Sequence, residues 1–399
     1  RYARPCVVVS ARSDRKQGDI APGCYRATCM EARDLRARGE GLQLSVKIES
    51  PSGEEALTEF VLFQLKVYEY RSARWPAMVP VQLPMLMGDG PFAAGRKIRP
   101  FAARVDGDLV ARGVALIDGH YQHHWKEPLG HLVMFEALPG TRDAVKLMMD
   151  AAAAWMKANG ATAARAGFGL LEFPFAIDDY ETLPPDFARQ NPAYYHALLK
   201  DAGFETERGW VDYKIEVTPE LVARYESALE AGRRGGFEIV AVKDLPAARR
   251  IRDFEHTWNT AFARHWGATP FSTDELAFLF DFFAITGALD TTVIAYRDGQ
   301  PAGVLMVAPP NPEGAILNPG RTLADNEKLN ILGIGVLENA RGRGVNLAMA
   351  SYSYLHLIRQ GSKFLSYTLV LDDNWPSRRT AEKLGATVCA NYVTYRRNF

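Results

Sequence analysis

Apolar and polar positions alternate along residues 42–48 (Leu-Gln-Leu-Ser-Val-Lys-Ile), which predicts a half-buried strand. The period then changes. Leu57, Phe60, Val61, Gln64, Leu65 and Tyr68 fall on one face of a 3.6-residue repeat, so a helix is expected after Ser52-Gly53-Glu54-Glu55, whose acidic first turn suits the helix dipole. Residues 101–105 and 109–117 are β-rich runs on either side of Asp106-Gly107, the strongest short signal for a two-residue hairpin. Residues 131–138 read as a strand. Residues 143–157 read as a helix with Val145, Met148, Ala152, Trp155 and Met156 on its apolar side, stopped by Asn159-Gly160.

The pattern recurs further on. Residues 237–242 predict a strand, and Ile251, Phe254, Trp258 and Phe262 mark a long helix. Ser272-Thr273-Asp274-Glu275 is a capping box before another helix. Asp298-Gly299 joins residues 292–296 to 301–307 as a second hairpin. Then come a strand over 329–337, a helix over 344–360, a strand over 364–371, a short helix over 376–384 and a last strand over 392–396. The ends of the two series look alike. Asn191 and Asn374 each precede a short amphipathic helix, and Gly203 and Gly385 stop it. A repeat of about 160 residues is far too long for a solenoid. It predicts an N-terminal extension over 1–53 and two similar domains, 54–217 and 237–399, joined where Glu, Arg and Gly are dense.

Composition narrows the class. The 399 residues are 47% hydrophobic and 24% charged, the ordinary mix of a globular chain with a full core. Lys+Arg and Asp+Glu both number 47, so the global basic surplus of a dedicated nucleic-acid binder is missing. Residues 276–285 are mostly apolar but interrupted by Asp281 and too short to span a bilayer. Cys6, Cys24, Cys29 and Cys389 are too few for a disulfide scaffold and lack the closed ligand set of a zinc site. A cytoplasmic protein without a bound metal is expected.

The chemistry concentrates in residues 333–348. A strand ending at Val336-Leu337 runs into Glu338-Asn339-Ala340-Arg341-Gly342-Arg343-Gly344-Val345-Asn346, and this loop opens a helix. Helix N-terminal N–H groups have no intrahelical partner and, with the dipole, form an anion site. Gly342 and Gly344 let backbone approach a phosphate closely, and Arg341 and Arg343 add charge.

This stretch resembles the acetyl-CoA-binding motif of the GNAT superfamily of N-acetyltransferases, Arg/Gln-x-x-Gly-x-Gly/Ala. Here the motif reads Arg341-Gly342-Arg343-Gly344-Val345-Asn346, with Asn at the last position. Asn374-x-x-Ser377 and Lys383-Leu384-Gly385 resemble the family's next helix, which runs beside the CoA arm. Residues 258–275 and the segments around Asn191 and Gly203 resemble a bacterial group of tandem acetyltransferase-like proteins, so the likeness covers residues 54–399. It implies an α/β (α+β) fold of two tandem domains, each a mixed, mostly antiparallel sheet flanked by helices. It also implies that the fourth and fifth strands of the second domain splay apart, so that Val336 and Leu337 pair with pantetheine. Acetyl-CoA or another acyl-CoA is then the co-substrate, and a small-molecule amine the acceptor. The first domain has Pro139-Gly140-Thr141-Arg142-Asp143 at the equivalent loop, with no second glycine and an acidic helix start, so it is expected not to hold a pyrophosphate.

Amine acylation needs a deprotonated nitrogen and a protonated leaving sulfur. The family's usual Tyr, four residues before Gly385, is Ala381 here. Tyr392 is the substitute taken for the acid, with Tyr395 beside it, and Glu327 is taken for the base over Glu338. Asp372 and Asp373 would bind an amine or cap the next helix. Other patterns fail. Gly90 to Lys97 has Arg96 where a phosphate-binding loop needs Lys, and His120, His123 and His124 lack a metal motif. Two rivals remain: a tandem-domain transferase using aminoacyl-tRNA, and a non-catalytic acyl-CoA-binding module.

Overall fold

Short-range signals became the elements they predict. The computed structural model describes residues 45–399. The expectations for residues 1–44, including Cys6, Cys24, Cys29 and the start of the alternating strand, lie outside the described residues. That strand's end is β1 (Val46–Glu49), antiparallel to β3 (Arg96–Val105). Between them stand α1 (Glu54–Val67), β2 (Ala73–Arg74) and α2 (Val79–Met87). The face of α1 that carries Leu57, Phe60 and Val61 is buried, as its spacing predicts. Asp106 and Gly107 both take positive φ (50° and 94°), the geometry a two-residue hairpin requires, and turn β3 into β4 (Asp108–Asp118). There follow α3 (Gly119–Trp125), β5 (Leu129–Ala137), α4 (Arg142–Ala158), β6 (Ala163–Ala166), β7 (Phe175–Ala176), α5 (Tyr195–Asp201) and β8 (Glu205–Glu216).

The second series is α6 (Pro219–Arg234), β9 (Phe237–Ala241), α7 (Ala247–Ala261), α8 (Thr273–Thr286), the hairpin of β10 (Val293–Arg297) and β11 (Gln300–Ala308), then β12 (Ile316–Leu317) and β13 (Ile331–Val336). After them come α9 (Val345–Arg359), β14 (Phe364–Leu371), α10 (Trp375–Lys383) and β15 (Thr387–Asn398). The Ser272 capping box forms in both directions: Glu275 N–H donates to Ser272 Oγ (3.2 Å), and Ser272 N–H to Glu275 Oε2 (2.8 Å). Arg96 donates to Glu275 and Asp118, so the glycine-rich stretch before it is a structural turn.

The sheets do not follow the sequence halves. One runs β1-β3-β4-β5-β6-β15-β8-β14, and a second runs β13-β11-β10-β9. β15, the end of the chain, lies between β6 and β8 of the first half, while β8 pairs with β14 of the second. The two halves have exchanged their final strands. Alternation along β8 then serves two environments. Val211, Tyr213 and Ile215 enter the core that α9 covers. Trp210 packs on the other face with Ala176, Leu371, Ala390 and Tyr392. Residues 46–399 accordingly form one compact unit.

Candidate active site

β13 and β14 lie side by side but in different sheets. They are clasped at one end only. Asn330 Nδ2 donates to Ser366 O (3.2 Å), Ser366 N–H donates to Asn330 Oδ1 (3.0 Å), and Leu332 N–H donates to Thr368 Oγ1 (3.2 Å). Beyond Leu332 the ladder stops. Strand alternation puts the N–H groups of Ile334 and Val336 on the same edge as that of Leu332, away from β11. Arg341 Nε reaches the Val336 carbonyl on this edge (3.1 Å). Leu337 is different, because its N–H donates to Ala302 O of β11 (3.0 Å). Val336 therefore offers its N–H to the gap as the sequence suggests, Leu337 does not, and Ile334, which the sequence reading missed, does.

α7 seals the other side of β13. A Cβ on Gly333 would stand 2.7 Å from Trp258, and one on Gly335 2.8 Å from Phe262. Without side chains at these positions the helix packs directly on the strand and brings two aromatic rings beside the open edge.

The edge leads to a bare helix end. Gly344 is the N-cap of α9, at φ 79° in the left-handed region, with no side chain capping the helix. Arg341, Gly342, Arg343 and Gly344 are all exposed, and space around the two glycines is open. Neither Arg341 nor Arg343 has a carboxylate partner among the described residues. Free N–H groups, the helix dipole and two arginines without a carboxylate partner lie together in this loop, which is the chemistry of an anion site. Val345 is buried as the first helical residue. Asn346 Nδ2 donates to Thr380 Oγ1 (3.0 Å), tying α9 to α10. Asn374 Oδ1 caps α10 by accepting from Ser377 N–H (3.3 Å), and Ser377 Oγ lies 3.1 Å from the Tyr367 hydroxyl. The structure thus gathers residues 336 and 341–346 at one opening, with Asn374 and Ser377 on the neighbouring helix.

The proton-transfer candidates are placed less as expected. Glu327 is buried, and its carboxylate is occupied: Arg321 Nη2 donates to it (2.5 Å), as do Ala324 N–H (2.9 Å) and Leu183 N–H (3.2 Å). Burial alone would raise its pKa, but these donors hold it below the ordinary carboxylate range. Tyr392 is buried on β15. Burial, with Asp212 nearby, pushes its phenol well above the usual value, so it stays protonated. Tyr395 donates to or accepts from His196 Nδ1 (2.7 Å), away from this surface. Asp373 pairs with Arg208 (2.8 Å).

Asp212 was not singled out by the sequence reading. It sits on β8, opposite the irregularity between Tyr367 and Val370 of β14, where Leu369 takes φ 48°. Its carboxylate accepts from Tyr213 N–H (3.0 Å) and Leu369 N–H. Burial nevertheless pushes its pKa from 3.8 up to about 7. No cation pairs with it among the described residues; the Lys214 ammonium lies instead over the Phe364 ring (5.7 Å). The one available signal was an acid among Trp210, Val211, Tyr213 and Ile215. Asp212 and Tyr392 share a cavity of about 100 Å³ with Arg71, Leu183, Gln190 and Leu329.

In the first half the corresponding gap is filled. β5 and β6 pair in parallel from Leu129↔Ala163 to Leu132↔Ala166. Just beyond, Met134 takes φ 55° and its N–H donates to the Glu172 carboxylate (2.8 Å). Arg189 donates to Glu172 and to Phe135 O, and rests over the Phe175 ring (4.2 Å). At the loop, Arg142 is paired with Asp201 (2.6 Å). The chain's own groups fill the strand gap that the second half leaves open, while the N-terminus of α4 also lacks a side-chain cap and differs by the pairing of its arginine.

Residues 251–386 match the acetyltransferase (GNAT) family model. A curated relative, Protein YghO of Escherichia coli (strain K12), is 23% identical over 212 residues, which are 52% of this chain and 54% of that protein; the match spans about half of the relative's length. The fold resembles a tandem GNAT protein from the clavulanic acid biosynthesis pathway (TM-score 0.55, 11% identity, 89% of this chain and 98% of that one). It also resembles a GCN5-related glucosamine N-acetyltransferase region in a fungal multi-domain GH3 beta-N-acetylglucosaminidase (TM-score 0.55, 13% identity, 89% of this chain, 38% of that one). At such identities these likenesses speak for the fold. No helix among the described residues is long and apolar enough to cross a membrane.

Proposed function

We propose, from the match of residues 251–386 to the GNAT family model, that this protein is an acyl-CoA-dependent N-acyltransferase, with acetyl-CoA as donor and a small-molecule or amino-acid-like amine as acceptor. The observation that carries the reading is continuous: the unpaired edge of β13 runs into the uncapped N-terminus of α9 beside Arg341 and Arg343. An extended amide-bearing arm ending in a pyrophosphate is complementary to that surface. The N–H groups of Ile334 and Val336 would pair with the arm and, at the clasped end, polarise the thioester carbonyl.

The reaction balances without a covalent enzyme intermediate. The acceptor ammonium loses one proton, its nitrogen forms a bond to the acyl carbon, the nitrogen loses a second proton as the carbon–sulfur bond breaks, and the sulfur leaves as a thiol after protonation, so one proton is released overall. We assign the first proton to Asp212, a carboxylate poised near neutrality, and the sulfur's proton to Tyr392. We assign Glu327 a positioning role, holding the turn before β13 against Leu183.

Calorimetry with CoA, followed by thiol release from acetyl-CoA with an amine panel, tests the reading. One CoA site per chain and amine-dependent thiol release are expected. An absence of CoA binding would overturn it, and binding without turnover on any amine would leave an acyl-CoA-binding module.

A further inference from the structure

The cavity beside Asp212 carries two unmatched charges of opposite sign. Arg71 is 3% exposed, and no carboxylate pairs with it among the described residues. One of its terminal nitrogens donates to Thr182 O (3.2 Å), and its Nε has no partner. Burying a guanidinium without an anion is strongly disfavoured. Gln190 lines the same cavity, is 8% exposed, and has no partner for either amide atom. The opposite pole is Asp212, 2% exposed and also without an ion pair. Arg71 and Asp212 both face this space yet do not pair with each other.

The other charged groups on the wall are committed elsewhere. Lys214 lies over Phe364, and Asp179 accepts the N–H groups of Glu181 and Thr182 in its own turn. Arg189 is held by Glu172. What remains without a counter-charge is one cation, beside an unpartnered amide, and, separately, one carboxylate whose only hydrogen-bond donors are two backbone N–H groups. A ligand with a carboxylate at one end and an ammonium at the other satisfies all of them. The volume is smaller than the ~150 Å³ cavity that accepts benzene, which suits a head group of about five heavy atoms.

We propose that this cavity binds the acyl acceptor and that the acceptor is a small amino acid, its ammonium on Asp212 and its carboxylate on Arg71 and the Gln190 amide. This rests on the acyltransferase reading for the word acceptor, though not for the ligand class. It also gives the strand exchange a consequence. Arg71, Gln190 and Asp212 all come from the first half, so the first half supplies the acceptor site for the acyl-CoA edge of the second.

The test uses the full chain with three ligand sets: the proteinogenic amino acids with β-alanine, their carboxamides, and the matching acids without the amine. Binding is measured by calorimetry with and without CoA. At least one amino acid should bind, its carboxamide and its des-amino acid each at least about tenfold weaker, a difference of about 1.4 kcal/mol. Arg71→Gln should abolish the preference for the carboxylate while CoA affinity stays unchanged. No amino acid binding at millimolar concentration, equal binding of carboxamides, or wild-type discrimination in Arg71→Gln would each overturn the proposal. If Arg71→Gln does not fold, the wild-type comparison of the three sets decides alone. The two readings fail separately. Turnover on amines lacking a carboxylate, as fast as on amino acids, sinks the ligand class and leaves the acyltransferase. Amino acid binding that depends on Arg71, without any CoA binding, sinks the acyltransferase and leaves the ligand class.

Discussion

Replacing Asp212 by Asn should change how stability depends on pH, with a sign that follows from burial. The Asp212 pKa is raised from 3.8 to about 7 because burial disfavours its charged form. The folded state therefore holds the proton more tightly than the unfolded chain. The resulting stability is fully present below the unfolded value and is lost as pH rises toward the folded one. At about 1.4 kcal/mol per pH unit, a rise of roughly three units amounts to about 4 kcal/mol at most. Asn cannot ionise, and its Oδ1 can still accept from Tyr213 N–H. Asp212→Asn should thus match wild type near pH 4 and exceed it by a few kcal/mol at pH 8. Buried His131, lowered to about 4 by burial and then by Arg165, works in the opposite direction below pH 6.5, since it loses stability as pH falls. It is present in both proteins and cancels in the difference. Urea unfolding of both proteins at closely spaced pH values measures this difference directly. Parallel curves would refute the reasoning, because they would mean that Asp212 is charged and satisfied in the folded state. Acyl transfer supplies a second readout: the wild-type kcat/KM should rise through an apparent pKa near 7, and Asp212→Asn should lose that limb.

Gly344→Val and Gly140→Val form a matched pair, since both glycines have nearly equal positive φ (79° and 78°) and open space around them. Each should lose about 1–2 kcal/mol of stability by thermal or urea unfolding, while only Gly344→Val should also lose CoA affinity in calorimetry; equal affinities would detach the loop from the cofactor. Glu172→Ala leaves Arg189 buried without its anion and should destabilise by about 3–5 kcal/mol in urea titration. Truncation after Gly385 removes β15 from between β6 and β8, so calorimetry should find the whole unit destabilised; a truncated chain whose first half still melts at the wild-type temperature would contradict the exchanged-strand topology.

What the sequence determined by itself was local. Asp106-Gly107 and Asp298-Gly299 dictate their turns because two adjacent residues must take positive φ, and few dipeptides do so cheaply. Ser272 and Glu275 satisfy each other three residues apart, whatever surrounds them. The loop from Arg341 to Asn346 was legible for the same reason: an uncapped helix start with two glycines and two arginines is a local object. Tertiary structure decided the rest. Alternation along β8 and β15 states that each has a buried face but not which strand lies alongside, so the exchange of final strands left no mark in the periodicity. Leu337 and Val336 are equivalent by sequence; register against β11 turns the Leu337 N–H to Ala302 and leaves the Val336 N–H at the gap. Glu327 reads as a free carboxylate until Arg321 and Leu183 fold onto it. Asp212 reads as one acid in an apolar strand until three distant segments bury it beside Arg71 and Tyr392. Charge and proton affinity depend on solvent exclusion and on partners from anywhere in the chain, and those exist only once the fold has brought them together.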